Sequence, residues 1–508
     1  MIDSLNWTAT AVFVFFFALV TVLGFVAAHW KQADLGSLHE WGLGGRRFGA
    51  WITWFLIGGD LYTAYTVIAV PALVYSVGAY GFFAVPYTII VYPFMYMVLP
   101  RMWRVTHAHG YMTAGDFVLG RYGNPWLELA VAFTGILATM PYIALQLVGI
   151  EKVITALGFH GEGWAAHVPL TIAFVILAVY TYRSGLRAPA MIAFVKDIMI
   201  YIFVLAAIII IPQQLGGYGH IFDAAAAAYA KKGGATGLTL QPQQIMPYLT
   251  LAVGSAMALL LYPHSLTGLL SASSADTLKR NAAALPAYSL VLGLIALLGL
   301  MAIAAGIEVK NPQEVVPALI LKSFPDWFAG FCFAAIAIGA LVPAAVMSIG
   351  AANTFTRNIW KPFVHPEMTG AEETVVAKLM SLVVKVGALA VILFVPTTFA
   401  IDFQLLGGVW MIQCFPAIVF GLYTRWFDGR ALLAGWAVGM VFGTWLAWGA
   451  TKWVPTHSVF DWFIAYNGLI AVVVNIAVAG TLSALLGSPG PDETRAEDYE
   501  GVAAKVRV

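Results

Sequence analysis

The stretch Ile57-Gly58-Gly59-Asp60-Leu61-Tyr62-Thr63-Ala64-Tyr65-Thr66 lies inside an apolar run, residues 50–78, that is long enough to cross a membrane. Two glycines, a carboxylate and four hydroxyl side chains interrupt that run. Glycine weakens a helix, and polar side chains can re-satisfy the backbone groups it frees. The composition predicts a helix broken near its middle. Free carbonyls at such a break suit a cation, and the N-terminus of the second half suits an anion. The plainer alternative is a pair of helix-packing glycines beside an acid near the mouth of the span.

A second interruption, Tyr262-Pro263-His264-Ser265-Leu266-Thr267, falls inside residues 246–271. Proline breaks the helix there and frees carbonyls. His264 can bind a solute or carry a proton, although a lone buried histidine can also be a packing residue. Working outward, runs of about 20 mostly apolar residues, the length that spans a bilayer, recur along the whole chain. They fall near 8–28, 50–78, 81–100, 127–157, 166–182, 188–211, 246–271, 284–306, 327–356, 377–396, 402–423, 431–450 and 461–486. The two breaks therefore lie in the second and seventh spans, five apart. Carriers built from inverted repeats have broken helices at matching places in each half, beside a midplane site. The fold expected is an all-α integral membrane protein of about 13 spans with a five-plus-five inverted-repeat core.

Composition agrees. The chain of 508 residues is 61% hydrophobic and 10% charged, against about 25% charged in soluble domains. Net charge is +1, so nucleic-acid binding leaves no footprint, and the expected partners are a lipid bilayer and a small solute. Cys332 and Cys414 sit in apolar runs and suggest neither a disulfide framework nor a metal cluster. Met1 to Trp7 contains no Lys or Arg, so the first run reads as a retained span rather than a signal peptide. With the N-terminus outside, about 18 Lys and Arg fall on the inner loops and tail and about 6 outside, as the positive-inside rule favours. The expected location is the plasma (bacterial inner) membrane, with the C-terminus cytoplasmic.

Residues 1–487 read as one transmembrane domain. It comprises a first helix and loop (1–49), a first repeat (50–211), an outer loop (212–245), a second repeat (246–423) and two last helices (424–487). Residues 488–508 read as a disordered cytoplasmic tail. P-loop, GxSxG, HExxH and CxxC motifs are absent from the sequence, so neither an enzyme nor a cofactor is expected.

An ionisable residue deep in a span is a functional candidate by default. Besides Asp60 and His264, Lys196 and Asp197 qualify. Adjacent residues point about 100° apart on a helix, so these two need not pair. A lysine held in an apolar site can exchange its proton near neutral pH; the alternative is an ammonium that snorkels to the inner surface. Lys385 reads as such a snorkeler. Gln404 and Gln413, in the eleventh span, are a possible ligand and interhelical glue respectively.

Several segments together resemble the sodium/solute symporter family, in order and spacing rather than through any single specific motif. They are Phe55 to Thr66, Pro100-Arg101, Asp116-Phe117, Arg121-Tyr122-Gly123, Tyr182 to Ala188, Pro263-His264, Phe355 to Trp360 and Gly421-Leu422-Tyr423. Leu186 to Ala190 and Leu341 to Ala345 look like the branch of monocarboxylate permeases, which take up lactate, pyruvate and similar acids. The resemblance implies alternating access and a sodium ion held by carbonyls of the second span and hydroxyls of the ninth. Here the carbonyls map to Gly58 and Leu61, but the hydroxyl pair maps to Val342 and Pro343, which cannot ligate sodium. Ser348 substitutes only if the register slips. Family members that use sodium also carry an Asp and a Gln where this chain has Ala193 and Lys196. In proton-coupled carriers of the same general fold a lysine on the equivalent helix occupies the sodium position. The implied ion-coupling set is Asp60, Lys196, Gly58, Leu61 and Ser348, with a proton as coupling ion, Asp60 as partner of Lys196, and sodium as the alternative. Sugar-binding members carry polar side chains on the third span, where this chain has Ala84 and Val85. Tyr62, Thr63, Tyr65, Thr66, Tyr262, His264 and Gln404 can supply the few donors that a small monocarboxylate needs. The alternatives are a sodium-coupled symporter of an amino acid or vitamin-like acid, and a membrane sensor or channel on the same core. Preferred substrate, stoichiometry and oligomeric state have no signature in the sequence.

Overall fold

The computed structural model describes residues 5–30, 34–159, 167–394, 400–448, 453–460, 463–487 and 490–500. Lipid offers the backbone no hydrogen bonds, so a chain this apolar satisfies its peptide groups within helices. Among the described residues nine helices are long and apolar enough to cross a membrane. Two bent pairs, Ala50–Asp60 with Tyr65–Val77 and Pro242–Leu259 with Pro263–Leu270, raise that number to eleven. Val168–Ser184 and Gly370–Phe394 occupy the places of the fifth and tenth spans, so every predicted span has a helix at its position.

The spans divide by what they face. The ninth, Asp326–Phe355, is buried almost throughout and is built largely of Ala, Gly and Ile. It packs against the first, fourth, sixth, seventh and tenth spans. Its small residues let backbones approach closely, the usual packing mode where lipid removes the hydrophobic drive between helices. The first span, Trp7–Val26, is the opposite case. It buries only Ala9, Val20 and Gly24 and turns Phe15, Leu19 and Val22 outward, as a helix at the lipid boundary must.

Two features differ from the sequence reading. The thirteenth span begins at Asn467 rather than near 461, because residues before it pair as an antiparallel hairpin, Thr456–Phe460 with Phe463–Tyr466. Aromatic and β-branched residues, which favour strands, carried the apolar signal there. The tail is also not free where it is described. Residues 490–500 lie against one end of the bundle. Asp492 pairs with Arg121 at 3.0 Å, the Glu493 amide donates to Gly120 O at 2.8 Å, and Asp498 meets His109 at 2.8 Å. Tyr499 is buried, with the Arg101 guanidinium over its ring. The segment looked disordered because its order comes from long-range partners rather than local propensity.

The segment thus ties the end of the third span to the short helix Ala114–Tyr122 and to residues 421–425. Burial works to raise the Asp498 carboxyl, but hydrogen bonds from His109 and from the Arg495 amide hold it below the ordinary carboxylate value. Its contribution to docking is therefore present above the unfolded value, about 4, and is lost as pH falls through the lower folded value. Asp492→Ala should speed tryptic cleavage after Arg495 several-fold, and acidification below about pH 4 should loosen the segment in the native chain. Limited proteolysis checks the first, and the fluorescence of a probe on the tail the second.

Candidate functional site

The second span stops being helical at Tyr62, whose φ and ψ are −90° and 84°. A break inside a membrane leaves peptide groups that need partners, and side chains from two other spans and from the break itself supply them. The Lys196 Nζ donates to Gly59 O at 2.5 Å and to Tyr62 O at 3.3 Å. Gln146, on the fourth span Pro125–Ala156, accepts from the Ala64 amide at 2.9 Å. The Thr63 hydroxyl accepts from Tyr65 N at 3.1 Å, opening the second half of the span. The lysine head group thus sits against the carbonyls of the broken helix.

Its neighbours differ in detail from the expectation. The carbonyls are those of Gly59 and Tyr62, one residue beyond Gly58 and Leu61. Gly58 O is still occupied within the helix, by Tyr62 N at 3.2 Å, and the Leu61 side chain lies outside the described residues. The carboxylate beside Lys196 is Asp197, with Oδ1 3.1 Å from Nζ and both side chains fully buried. The flexible lysine stem folds back toward its sequence neighbour. Asp60 is not within ion-pair distance of Lys196. It points about 100° round the helix from Gly59, and its Oδ2 lies 3.6 Å from His264 Nε2 on the other broken span.

The two positions to which the resemblance assigns the hydroxyl pair carry no oxygen side chain. A Cβ placed on Gly339 of the ninth span would lie 3.8 Å from Tyr62 O, so this face meets the break. Val342 and Pro343, a helical turn further along it, are buried and apolar. Ser348 is nine residues beyond Gly339, about half a turn round the helix, and its Oγ donates to Ala345 O at 2.8 Å. The register does not slip, and Ser348 is removed from the candidate ligands.

Two cavities flank the breaks. One, of about 470 Å³ including its mouth, is lined by Asp60, Tyr92, His264, Ser265 and apolar residues. Among its lining residues, Asp60 Oδ1, Ser265 Oγ and both ring nitrogens of His264 are buried with no hydrogen-bond partner among the described residues. Such groups are costly unless something completes them. The second cavity, of about 410 Å³, is walled by Tyr65, Tyr87, Tyr142, Tyr262 and Tyr466. Leu259, the last residue before the seventh-span break, lines both. Gly350 permits the ninth span to run against this break, since a Cβ there would collide with the His264 backbone.

The structure therefore sorts the expected solute-binding residues into three groups. Tyr65 and Tyr262 share the tyrosine cavity, and His264 faces the other. Tyr62, Thr63 and Thr66 line neither of these two. The Tyr62 hydroxyl donates to Tyr288 O at 3.3 Å, and the two threonines accept from backbone amides in the break. Gln404 lies on Ala400–Met411, but its side chain falls outside the described residues. Lys385 does not snorkel. It is 1% exposed, with Ser381 O, at 3.4 Å, as its one acceptor among the described residues. Sequence reasoning missed Gln146, Tyr87, Tyr142, Tyr288 and Tyr466. An amide inside a span was signal enough for Gln146, whereas tyrosines scattered over the chain announce nothing until the helices bring them together.

The Sodium:solute symporter family profile matches residues 41–439. The chain is 59% identical to the "Monocarboxylate transport permease protein" of Rhizobium johnstonii, over 97% of this chain and 99% of that one. It is 32% identical to an uncharacterized symporter of Bacillus subtilis over 92% and 93% of the two chains. It is 22% identical to a sodium/proline symporter of Staphylococcus aureus over 96% and 94%. Among solved structures, a substrate-bound, outward-open Na+-coupled sialic acid symporter matches with a TM-score of 0.78 at 14% identity, covering 96% of this chain and 99% of that one. That likeness shows a common fold. The chain belongs to the sodium/solute symporter family and is a membrane transporter, not an enzyme.

Proposed function

We propose that this symporter imports small monocarboxylates, lactate, pyruvate and similar acids, by alternating access, and that protons rather than sodium drive it. The observation that carries the coupling is the Lys196 ammonium on Gly59 O and Tyr62 O, with Val342 and Pro343 where sodium would need oxygen ligands. With Lys196 protonated, the carbonyls of the break are held and the site is closed. When the proton leaves, the ammonium's hold weakens and the two halves of the second span are free to shift. An inward proton gradient then loads Lys196 from outside and empties it inside, in a plasma membrane with the N-terminus out.

The substrate assignment is supported by the relative named a monocarboxylate permease and by the character of the cavities. The phenol hydroxyls of the tyrosine cavity offer a carboxylate donors without a fixed positive charge. The atoms of His264 and Asp60 left without hydrogen bonds can complete a keto or hydroxyl group. An apolar wall suits a short carbon chain. The second reading, a sodium-coupled carrier of an amino acid or vitamin-like acid, draws on the sodium in the names of more distant relatives.

Purified protein in liposomes should accumulate labelled lactate or pyruvate under an inward proton gradient without sodium. A strict sodium requirement would overturn the coupling, and no transport of either acid would overturn the substrate. Lys196→Gln, which keeps a donor for the carbonyls but cannot lose a proton, should abolish proton-driven accumulation. Ser348→Ala should leave the ion dependence of uptake unchanged, which the same assay reads in sodium and sodium-free media.

A further inference from the structure

Asp197 has a second partner. Tyr288, on the eighth span at Pro286–Ala296, donates its hydroxyl to Asp197 Oδ2 at 2.7 Å, while Oδ1 faces Lys196. The Tyr288 ring fills the space left by Gly58, where any Cβ would collide with it. Its ring lies 4.6 Å from that of Trp54, edge-on, and 4.6 Å from that of Tyr62, tilted, both on the second span. Tyr201, on the sixth span, lies 6.0 Å away. A buried tyrosine needs some hydrogen-bond acceptor; this one has taken the carboxylate of the coupling pair.

The chemistry gives that choice a consequence. A proton leaving the Lys196 ammonium breaks an N–H bond and has two destinations. It can pass to water and leave the protein, or it can bond to the Asp197 carboxylate 3.1 Å away. The second transfer leaves a neutral amine beside a neutral acid, and no proton has crossed anything. The first leaves a buried carboxylate without its ion partner, which is costly unless another donor remains. The Tyr288 hydroxyl is that donor. Facing the pair are Gly59 and Tyr62 carbonyls from the second span and Tyr288 from the eighth, with Tyr201 nearby and Asp60 beyond ion-pair distance.

We propose that Tyr288 is a positioning residue for coupling: its hydroxyl holds Asp197 as the carboxylate, so that the proton Lys196 gives up leaves the pair instead of being trapped within it. The proposal rests on the proton-coupled reading above. Tyr288→Phe keeps the ring against Gly58, Trp54 and Tyr62 and removes the hydroxyl, with its hydrogen bond to Asp197 and its contact with Tyr201. In liposomes, lactate uptake driven by a proton gradient should fall about tenfold or more, the scale of one hydrogen bond to a charge. Lactate counterflow at equal pH on both sides needs no net proton release and should stay near the native rate. Asp197→Asn removes the internal proton acceptor, so adding Tyr288→Phe to it should cause no further loss. Equal loss of counterflow and driven uptake would make Tyr288 a packing residue and overturn the proposal, as would a variant with unchanged driven uptake. If the native protein shows no proton-driven uptake, the parent reading fails and this one falls with it. Native driven uptake with an indifferent Tyr288→Phe would sink this inference alone.

Discussion

The arrangement depends on a helix that is broken where lipid surrounds the bundle. An unsatisfied peptide group in an apolar interior costs more than a hydrogen bond returns, so a break at Tyr62 persists only if other elements complete it. They do so with different chemistry on the two sides. The carbonyl end receives a cation, Lys196 Nζ. The amide end receives neutral acceptors, Gln146 Oε1 and Thr63 Oγ1. That asymmetry follows the polarity of the peptide itself, since carbonyls attract positive charge and amides accept a lone pair. The break is thereby tied to the fourth and sixth spans, and any motion that separates the two halves of the second span must first release one of these partners.

The two cavities divide along the same line. The face of the second span that carries Asp60 opens on His264 and Ser265, with polar atoms left unmatched. The second half of the span contributes Tyr65 to a pocket of phenols. Leu259 separates them at the seventh-span break. Solute and ion groups are therefore adjacent but not shared. Asp60 belongs with His264 near the larger cavity, while Lys196 belongs with Asp197 behind the break. A displacement of the second span, which carries Asp60 as well as Gly59 and Tyr62, moves both sites at once, which is the geometric requirement for coupling two events by one conformational change.

How much of this was legible depends on the range of the interaction. Span positions and both breaks are local properties, written in apolar runs, in Gly58-Gly59 and in Pro263, and a single sequence carries them. The proposal that a lysine replaces an ion draws on Lys196, Val342 and Pro343 in the sequence, because it is a statement about residue types at related positions. Which carbonyls it meets could not. Whether the helix lets go at Leu61 or Tyr62 turns on Gln146 and Thr63 capping the next amides, a balance of single hydrogen bonds. The pairing of Asp60 with His264 instead of Lys196 is a matter of about 100° of helix rotation. The docked tail was illegible for the opposite reason: its order resides in Arg121, His109 and Arg101, hundreds of residues away, while its own composition resembles that of a free segment.

Under the proton-coupled reading proposed above, a lysine in the place of a metal cation is not an equivalent substitution. A bound ion can be released on the far side of the membrane and replaced from the near side. An ammonium tethered to the sixth span stays with the chain, and the only part of it that can be handed over is a proton. The carbonyl contacts at Gly59 and Tyr62 can be retained with almost no change of backbone while the identity of what travels changes altogether. Such a change also brings a requirement that a sodium site does not have. A tethered base needs a nearby counter-charge to keep it ionised, and that counter-charge is itself a competing proton acceptor. The full burial of Asp197 next to Lys196 is the form that requirement takes in this chain, and the eighth-span hydroxyl on its other oxygen is the group placed to resolve it.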